Sequence, residues 1–249
     1  MQAFARETGL SETTFVQTAG SGADYVNRIF TVVTELPFAG HPSLGTAVAV
    51  AHARGEQTAR YVQRTGAGEQ PVDVALDGRV ARASMLQEPA TFADEADRDA
   101  IAAACGLDAR DIASDPPPRS ISTGVTHLIA ILNEATALPR VRRGDAAALQ
   151  AALEPGGDTC LYLAAPLSGD RWQARSLFLG TDGVREDPAT GSAAGPLCAY
   201  LARERGAAEI TIEQGAEMGR PSVLDARVEG DRIRVGGDVH IIATGAVHL

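Results

Sequence analysis

His41-Pro42-Ser43-Leu44-Gly45-Thr46-Ala47 in the first half of the chain reads against Asp187-Pro188-Ala189-Thr190-Gly191-Ser192-Ala193 in the second. Each stretch is an ionisable residue, a proline, two spacers, a glycine, a hydroxyl residue and an alanine. Each runs on into an alanine-rich segment ending in Arg-Gly, at Arg54-Gly55 and Arg205-Gly206. Proline is tolerated just inside a helix start, because the N–H it lacks would have no partner there. Both copies therefore predict a loop passing into a helix, with His41 and Asp187 at the two mouths. Two helix N-termini turned to one cleft would present unpaired N–H groups and positive dipole ends to an anion.

The repeat extends in both directions. Strand-like runs precede the two motifs, Tyr25 to Val33 and Gln173 to Leu179, and β-rich runs leading into glycine follow the two helices, Ala59 to Gly66 and Glu209 to Gly215. Alternating branched apolar and polar residues mark the latter pair as half-buried strands. Further upstream, a helix and then a strand are predicted at Gln2–Gly9 and Thr13–Thr18, and again at Ala146–Leu153 and Thr159–Ala164. The halves are thus two copies of one α/β unit, too long a period for a solenoid of small repeats. Ser120–Leu132 predicts a strand ahead of the second copy's helix. The first copy has no equivalent, so the expectation is a first half lacking its opening strand. Domains are placed at residues 1–92 and 93–249. Ala90 to Arg119 reads as a linker with one helix near Asp94–Gly106 and a stiff Pro116-Pro117-Pro118 run, and His240–Leu249 reads as a final strand returning to the first domain.

The composition narrows the function. A chain of 249 residues with 45% hydrophobic content can bury a substantial core. A net charge of −10 argues against a nucleic-acid partner, which needs a basic face. No apolar run approaches the length of a membrane span, no basic-then-apolar leader opens the chain, and a cytoplasmic location is expected. Three scattered cysteines, Cys105, Cys160 and Cys198, make neither a disulfide framework nor a zinc site. Cys160 and Cys198 read as inert core thiols. All 22 Lys-or-Arg residues are arginine. Without a lysine there is no imine to a side chain, no pyridoxal-phosphate attachment and no P-loop. No dinucleotide-binding glycine pattern opens a helix, no metal-like histidine spacing occurs, and no nucleophile elbow is present. No cofactor and no metal are expected. Acid–base chemistry remains.

Glu12 lies in Ser11-Glu12-Thr13-Thr14-Phe15, where a helix hands over to a strand. It reads either as a solvated turn carboxylate or as a general base whose pKa is raised by partial burial. His41 is a loop or cap histidine, or a group titrating in the range suited to proton transfer. Asp187 is an N-cap by default, and Ser192 and Thr46 could simply satisfy backbone groups of a first helical turn. Alternatively Ser192 and the N–H groups near Gly191 bind a substrate carboxylate. The equivalence of His41 and Asp187 in two copies expected to face each other favours the functional readings.

Ser11-Glu12-Thr13-Thr14-Phe15-Val16, Leu36-Pro37-Phe38-Ala39-Gly40-His41-Pro42, Glu186-Asp187-Pro188-Ala189-Thr190-Gly191-Ser192-Ala193 and Gln214-Gly215-Ala216-Glu217-Met218-Gly219-Arg220-Pro221-Ser222 resemble, in order, the motifs of the phenazine-biosynthesis (PhzF-like) isomerase family. The resemblance implies a diaminopimelate-epimerase-like α/β fold, with two similar domains, each a curled mixed sheet around a central helix, and the site in the cleft between them. Related epimerases carry a cysteine at each helix mouth; His41 and Asp187 stand there instead, which argues against two-thiol racemisation. By resemblance Glu12 is the acid–base residue. It takes a proton from one ring carbon of a dihydro-hydroxyanthranilate and returns it to another. His41 and Asp187 orient polar groups and tune Glu12, while Gly40, Gly191 and Ser192 hold the carboxylate and ring substituents. A Gly-Asn-Pro turn on the family's N-terminal strand has no counterpart here, whereas Thr123-Gly124-Val125-Thr126-His127 is its second-domain equivalent.

The expected protein is a cofactor-independent isomerase or epimerase of a small carboxylated metabolite, with a symmetric homodimer as the usual assembly. A non-catalytic binding member of the fold and an amino- or hydroxy-acid racemase are the alternatives.

Overall fold

A computed structural model describes residues 1–247, so the end of the expected His240–Leu249 strand lies outside the described residues. Contacts divide the chain into two compact units, Met1–Leu86 joined by the chain from Gly236 onward, and Gln87–Val235.

The first unit runs α1 (Gln2–Thr8), β1 (Thr13–Gln17), β2 (Tyr25–Phe30), β3 (Glu35–Leu36), α2 (Gly40–Arg54), β4 (Thr58–Thr65), β5 (Gly68–Asp77) and β6 (Val80–Leu86). Its strand order is β1-β2-β4-β5-β6, with the short β3 added to β2. All pairings are antiparallel except β2 with β4, which are parallel because α2 carries the chain across between them. Helix α2 ends where Gly55 takes φ 71° and lets the chain turn out. It packs Ala47, Val48 and Ala51 onto Tyr25, Tyr61, Val72 and Val74 of the sheet. Alanines at this interface let helix and sheet approach closely.

The second unit continues with β7 (Thr91–Glu95), α3 (Arg98–Cys105), β8 (Arg119–Ser122), β9 (Thr126–Ile131), α4 (Ala146–Leu153), β10 (Leu161–Pro166), β11 (Arg171–Gly180), β12 (Gly183–Asp187), α5 (Gly191–Arg205), β13 (Glu209–Gln214) and β14 (Ser222–Glu229). The last strand, β15 (Arg232–His240), starts in this unit and from Gly236 runs in the first. Strand order is β14-β13-β11-β10-β9-β8-β7, with β12 paired to β11. Here β11 and β13 are the parallel pair bridged by the central helix, α5. The repeat is therefore visible strand for strand. In each unit a short strand, β3 or β12, folds back on the strand that feeds the central helix.

The second unit is covered on both faces, and its strands alternate accordingly. Ile129, Ile131, Tyr162 and Ala174 join Ala193, Leu197, Cys198 and Leu201 of α5 in one core. Leu128, Ala130, Leu161 and Leu163 join Ile101, Ala104, Leu149 and Leu153 of α3 and α4 in the other. Every residue from Ala193 to Leu201 is buried, so α5 shows no polar face, as expected of a helix enclosed all round.

Three local expectations differ from the structure. Ser120–Leu132 is a hairpin of β8 and β9 rather than one strand, because Gly124 turns the chain at φ 121°. Thr91–Glu95, read as linker, pairs with β8, and α3 starts only at Arg98, where Asp97 accepts from the Asp99 N–H as its cap. The proline run is also anchored, since the Tyr200 hydroxyl donates to the Pro117 carbonyl. At the C-terminus the strand is Arg232–His240, and residues 241–247 carry none.

Candidate active site

The first unit brings Glu12 and His41 together. Gly9 ends α1 at φ 64°, and the chain turns through Ser11-Glu12 into β1. His41 is the second residue of α2. The Thr46 hydroxyl, one turn further along α2, lies 2.8 Å from Thr14 Oγ1 of β1 and ties helix start to strand start. His41 Nε2 donates to Glu12 Oε2 across 3.0 Å. The imidazole is half exposed and the carboxylate largely covered, with side-chain exposures of 50% and 19%.

The His41 hydrogen bond holds the Glu12 carboxyl below its ordinary range, outweighing the opposite push from burial, and Ser11 adds to the lowering. This corrects the expectation of a raised pKa: a carboxylate that accepts a hydrogen bond is stabilised in its charged form. Glu12 is ionised at neutral pH.

The second unit builds its mouth differently. Asp187 ends β12, and α5 begins only at Gly191, with Thr190 as N-cap. Pro188 thus precedes the helix, whereas Pro42 lies within the first turn of α2. Asp187 does not cap α5. Its Oδ2 accepts from Thr190 Oγ1 at 2.7 Å. Gln214, at the end of β13, pins the loop. Its Nε2 donates to the Asp187 carbonyl at 2.7 Å and to Thr190 Oγ1 at 2.9 Å, while its Oε1 accepts from the Thr190 N–H at 3.2 Å and from the Tyr162 hydroxyl at 2.9 Å.

Gly215 then passes so close to the loop that a Cβ there would stand 2.8 Å from the Pro188 carbonyl oxygen. Behind Asp187, the Arg175 guanidinium grips Glu186 with two bonds of 2.7 Å, both side chains buried. Gly191, the first helical residue, receives the Gln87 side-chain N–H on its carbonyl at 2.9 Å. Ser192 Oγ lies 3.0 Å from Nε2 of His127.

So Glu12 is brought to His41, and Asp187, Gly191 and Ser192 are gathered within a few residues of one helix start. Gly40 is the first residue of α2. Sequence reasoning missed Gln214, Thr190 and His127 as contributors. Gln214 stood in a quoted motif but as a strand residue with no reactive group, and His127 as a histidine without metal-like spacing. Among the described residues no group of three or more His, Cys, Asp or Glu is placed to hold a metal ion, and no helix is long and apolar enough to cross a membrane.

Residues 1–245 match the family model described as phenazine biosynthesis-like protein, PhzC-PhzF. The chain belongs to the phenazine biosynthesis-like family. A trans-2,3-dihydro-3-hydroxyanthranilate isomerase of Pseudomonas aeruginosa is 38% identical over 258 residues, spanning all of this chain and 88% of that protein. A solved structure described as a predicted epimerase, also from Pseudomonas aeruginosa, superposes with TM-score 0.81 at 33% identity, covering 98% of this chain and 88% of that one. A Bacillus anthracis protein of the PhzF family has TM-score 0.83 at 23% identity, covering 97% of this chain and 86% of that one, and shares the fold. The two-unit mixed α/β architecture is thus the architecture of PhzF-family proteins, and the PhzF-like membership expected from the motifs holds.

Proposed function

We propose that this PhzF-family isomerase moves a proton between carbons of a small carboxylated substrate of the trans-2,3-dihydro-3-hydroxyanthranilate type. The observation that carries this reading is the 3.0 Å contact from His41 to a Glu12 carboxylate kept ionised by it, in a chain 38% identical along its whole length to an isomerase of that substrate. Glu12 withdraws a proton from one ring carbon, becoming a carboxylic acid. The two electrons of the broken C–H bond delocalise through the ring diene, and Glu12 returns its proton at another carbon. The resulting enol then tautomerises to the ketone. No redox partner is needed, because electrons and atoms balance within the substrate.

Asp187 and Ser192, with the N–H groups at Gly191 and Gly40, are assigned to the substrate's polar groups. The first N–H groups of a helix have no intrahelical acceptor and suit a carboxylate. Gly191 supports this role by an absence of structural need, since a Cβ there would meet only Val235 Cγ1 at an ordinary 3.9 Å. Glycine at that point leaves room for something outside the protein.

The test is proton NMR of trans-2,3-dihydro-3-hydroxyanthranilate with the protein in deuterium oxide. Turnover with deuterium incorporation is expected, falling about 10²–10⁴-fold in Glu12→Gln. Gly191→Ala is expected to fold normally and to raise KM. Absence of turnover by the wild-type protein sinks the substrate assignment, and a Glu12→Gln protein as active as wild type sinks the base.

A further inference from the structure

Ser192 is not free to orient its hydroxyl at will. Behind it lie two side chains that the proposed chemistry leaves unused, His127 and Cys160. His127 of β9 is 2% exposed, and its Nε2 is 3.0 Å from Ser192 Oγ. Its other ring nitrogen, Nδ1, is 3.1 Å from Cys160 Sγ, itself buried at the edge of β10.

Two proton arrangements fit these distances. In one, Nδ1–H donates to the sulfur and Nε2 accepts from Ser192, leaving the thiol hydrogen to turn to the buried Ser176 hydroxyl. In the other, the thiol donates to Nδ1 and Nε2–H donates to Ser192 Oγ. Burial fixes the number of protons. The imidazole is pushed down to about 4 and stays neutral with a single N–H, and the thiol is pushed up to about 12 and keeps its hydrogen. A ring nitrogen lone pair is a strong acceptor and a thiol sulfur a weak one, so the second arrangement places both hydrogens on good acceptors. The tautomer of a histidine is set by the bond its other nitrogen makes.

We infer that Cys160 and His127 are positioning residues that commit the Ser192 hydroxyl to donate outward to the substrate carboxylate. Ser192 Oγ receives the Nε2 hydrogen, so its own hydrogen points elsewhere, at the start of α5. The first copy shows the contrast. Thr46, the equivalent of Ser192, has its Oγ1 2.7 Å from the Pro42 carbonyl and spends its hydrogen inside the helix turn. A hydroxyl already oriented needs no reorganisation when the anion arrives, and in a water-poor site that preorganisation carries much of the binding. The inference rests on the reading of Ser192 as a carboxylate ligand.

The proton arrangement and its consequence are tested separately. Nitrogen-15 NMR of histidine-labelled protein should show His127 as a single neutral tautomer protonated at Nε2. Cys160→Ala removes the donor and should let the Nδ1–H tautomer appear. Binding of 3-hydroxyanthranilate, a stable aromatic probe with the same carboxylate, should then weaken by about 10-fold or more, the loss of one hydrogen bond to a charged group. Cys160→Ser retains a donor and should restore both the tautomer and the affinity. A wild-type His127 protonated at Nδ1, or a Cys160→Ala protein that binds the probe as tightly as wild type, overturns the inference. If the wild-type protein neither binds the probe nor turns over the substrate, the carboxylate reading fails instead, and the NMR result still decides the tautomer.

Discussion

Replacing Arg175 with methionine should unfold the protein at a markedly lower temperature. The guanidinium gives Nε and Nη2 to the two oxygens of Glu186 and Nη1 to the carbonyls of Leu138 and Val141, at 2.9 and 2.8 Å. The two side chains are only 7% and 4% exposed, so water cannot take over these bonds. Methionine fills much of the space but leaves a buried carboxylate without its cation, a loss of about 3–5 kcal/mol. The two carbonyls lose a shared donor besides, worth about 1–3 kcal/mol when a buried acceptor is orphaned. The losses overlap because one side chain serves all three acceptors.

Taking about 4 kcal/mol for the whole, and about 2–4 °C per kcal/mol for chains of this size, Tm should fall by about 8–16 °C in scanning calorimetry at pH 7. Removing the carboxylate as well, in Arg175→Met/Glu186→Leu, relieves the larger part, since apolar replacement of both partners is often neutral. The double variant should therefore melt above the single one. A single variant within about 3 °C of wild type, or a double variant no more stable than the single, refutes the reasoning.

Other expectations follow from single features. His41→Ala removes the bond that holds Glu12 low, so the Glu12 pKa rises and the acid limb of the kcat/KM profile moves to higher pH; an unmoved limb would show that another group titrates. In the wild type the depressed Glu12 contributes stability above its unfolded-state pKa that is lost as pH falls through the folded one, and His41→Ala should flatten that acid dependence in urea titrations. Gly45 lies inside α2 with ordinary backbone, and a Cβ added there would meet nothing within 4 Å, so Gly45→Ala should stabilise by about 0.5–1 kcal/mol; a lower urea midpoint would contradict the geometry. Gly215→Ala should do the reverse, because φ is +85° and the added Cβ would stand 2.4 Å from the Arg220 carbonyl oxygen; an unchanged midpoint would refute it.

The central helices were legible because their boundaries are chemical, with glycine past each end and the same spaced motif at each start. The repeat also led from β2 and α2 to β11 and α5 without any tertiary information. Thr91–Glu95 was not legible, since a strand with only Phe92 of its five residues partly covered, and with Asp and Glu at its end, looks like solvated linker. The Ser120–Leu132 run did carry its turn signal, Gly124 within the polar stretch Ser122-Thr123-Gly124-Val125-Thr126, and the fully buried Leu128–Leu132 that follows masked it. In the site, equivalence by repeat drew attention to His41 and Asp187, but the bond His41 makes is to Glu12, 29 residues away on a different element. Gln214, Cys160 and His127 act through hydrogen bonds across strands, and sequence spacing carries no trace of which strands will be neighbours.

The order of the units along the chain has a consequence for how the protein forms. The second unit interrupts the first between Leu86 and Gly236, and the first unit's sheet is completed by the part of β15 that follows that interruption. Bringing those ends together by chance would carry the closure entropy of a very long loop. The Gln87 N–H, however, donates to the Ile233 carbonyl at 2.8 Å, inside the second unit. Once that unit folds, it delivers Leu86 and Gly236 side by side, and a remote pairing becomes a nearby one. Assembly of the first sheet is then expected to wait on the second unit, so that a destabilised second unit delays the first even when every residue of the first is intact.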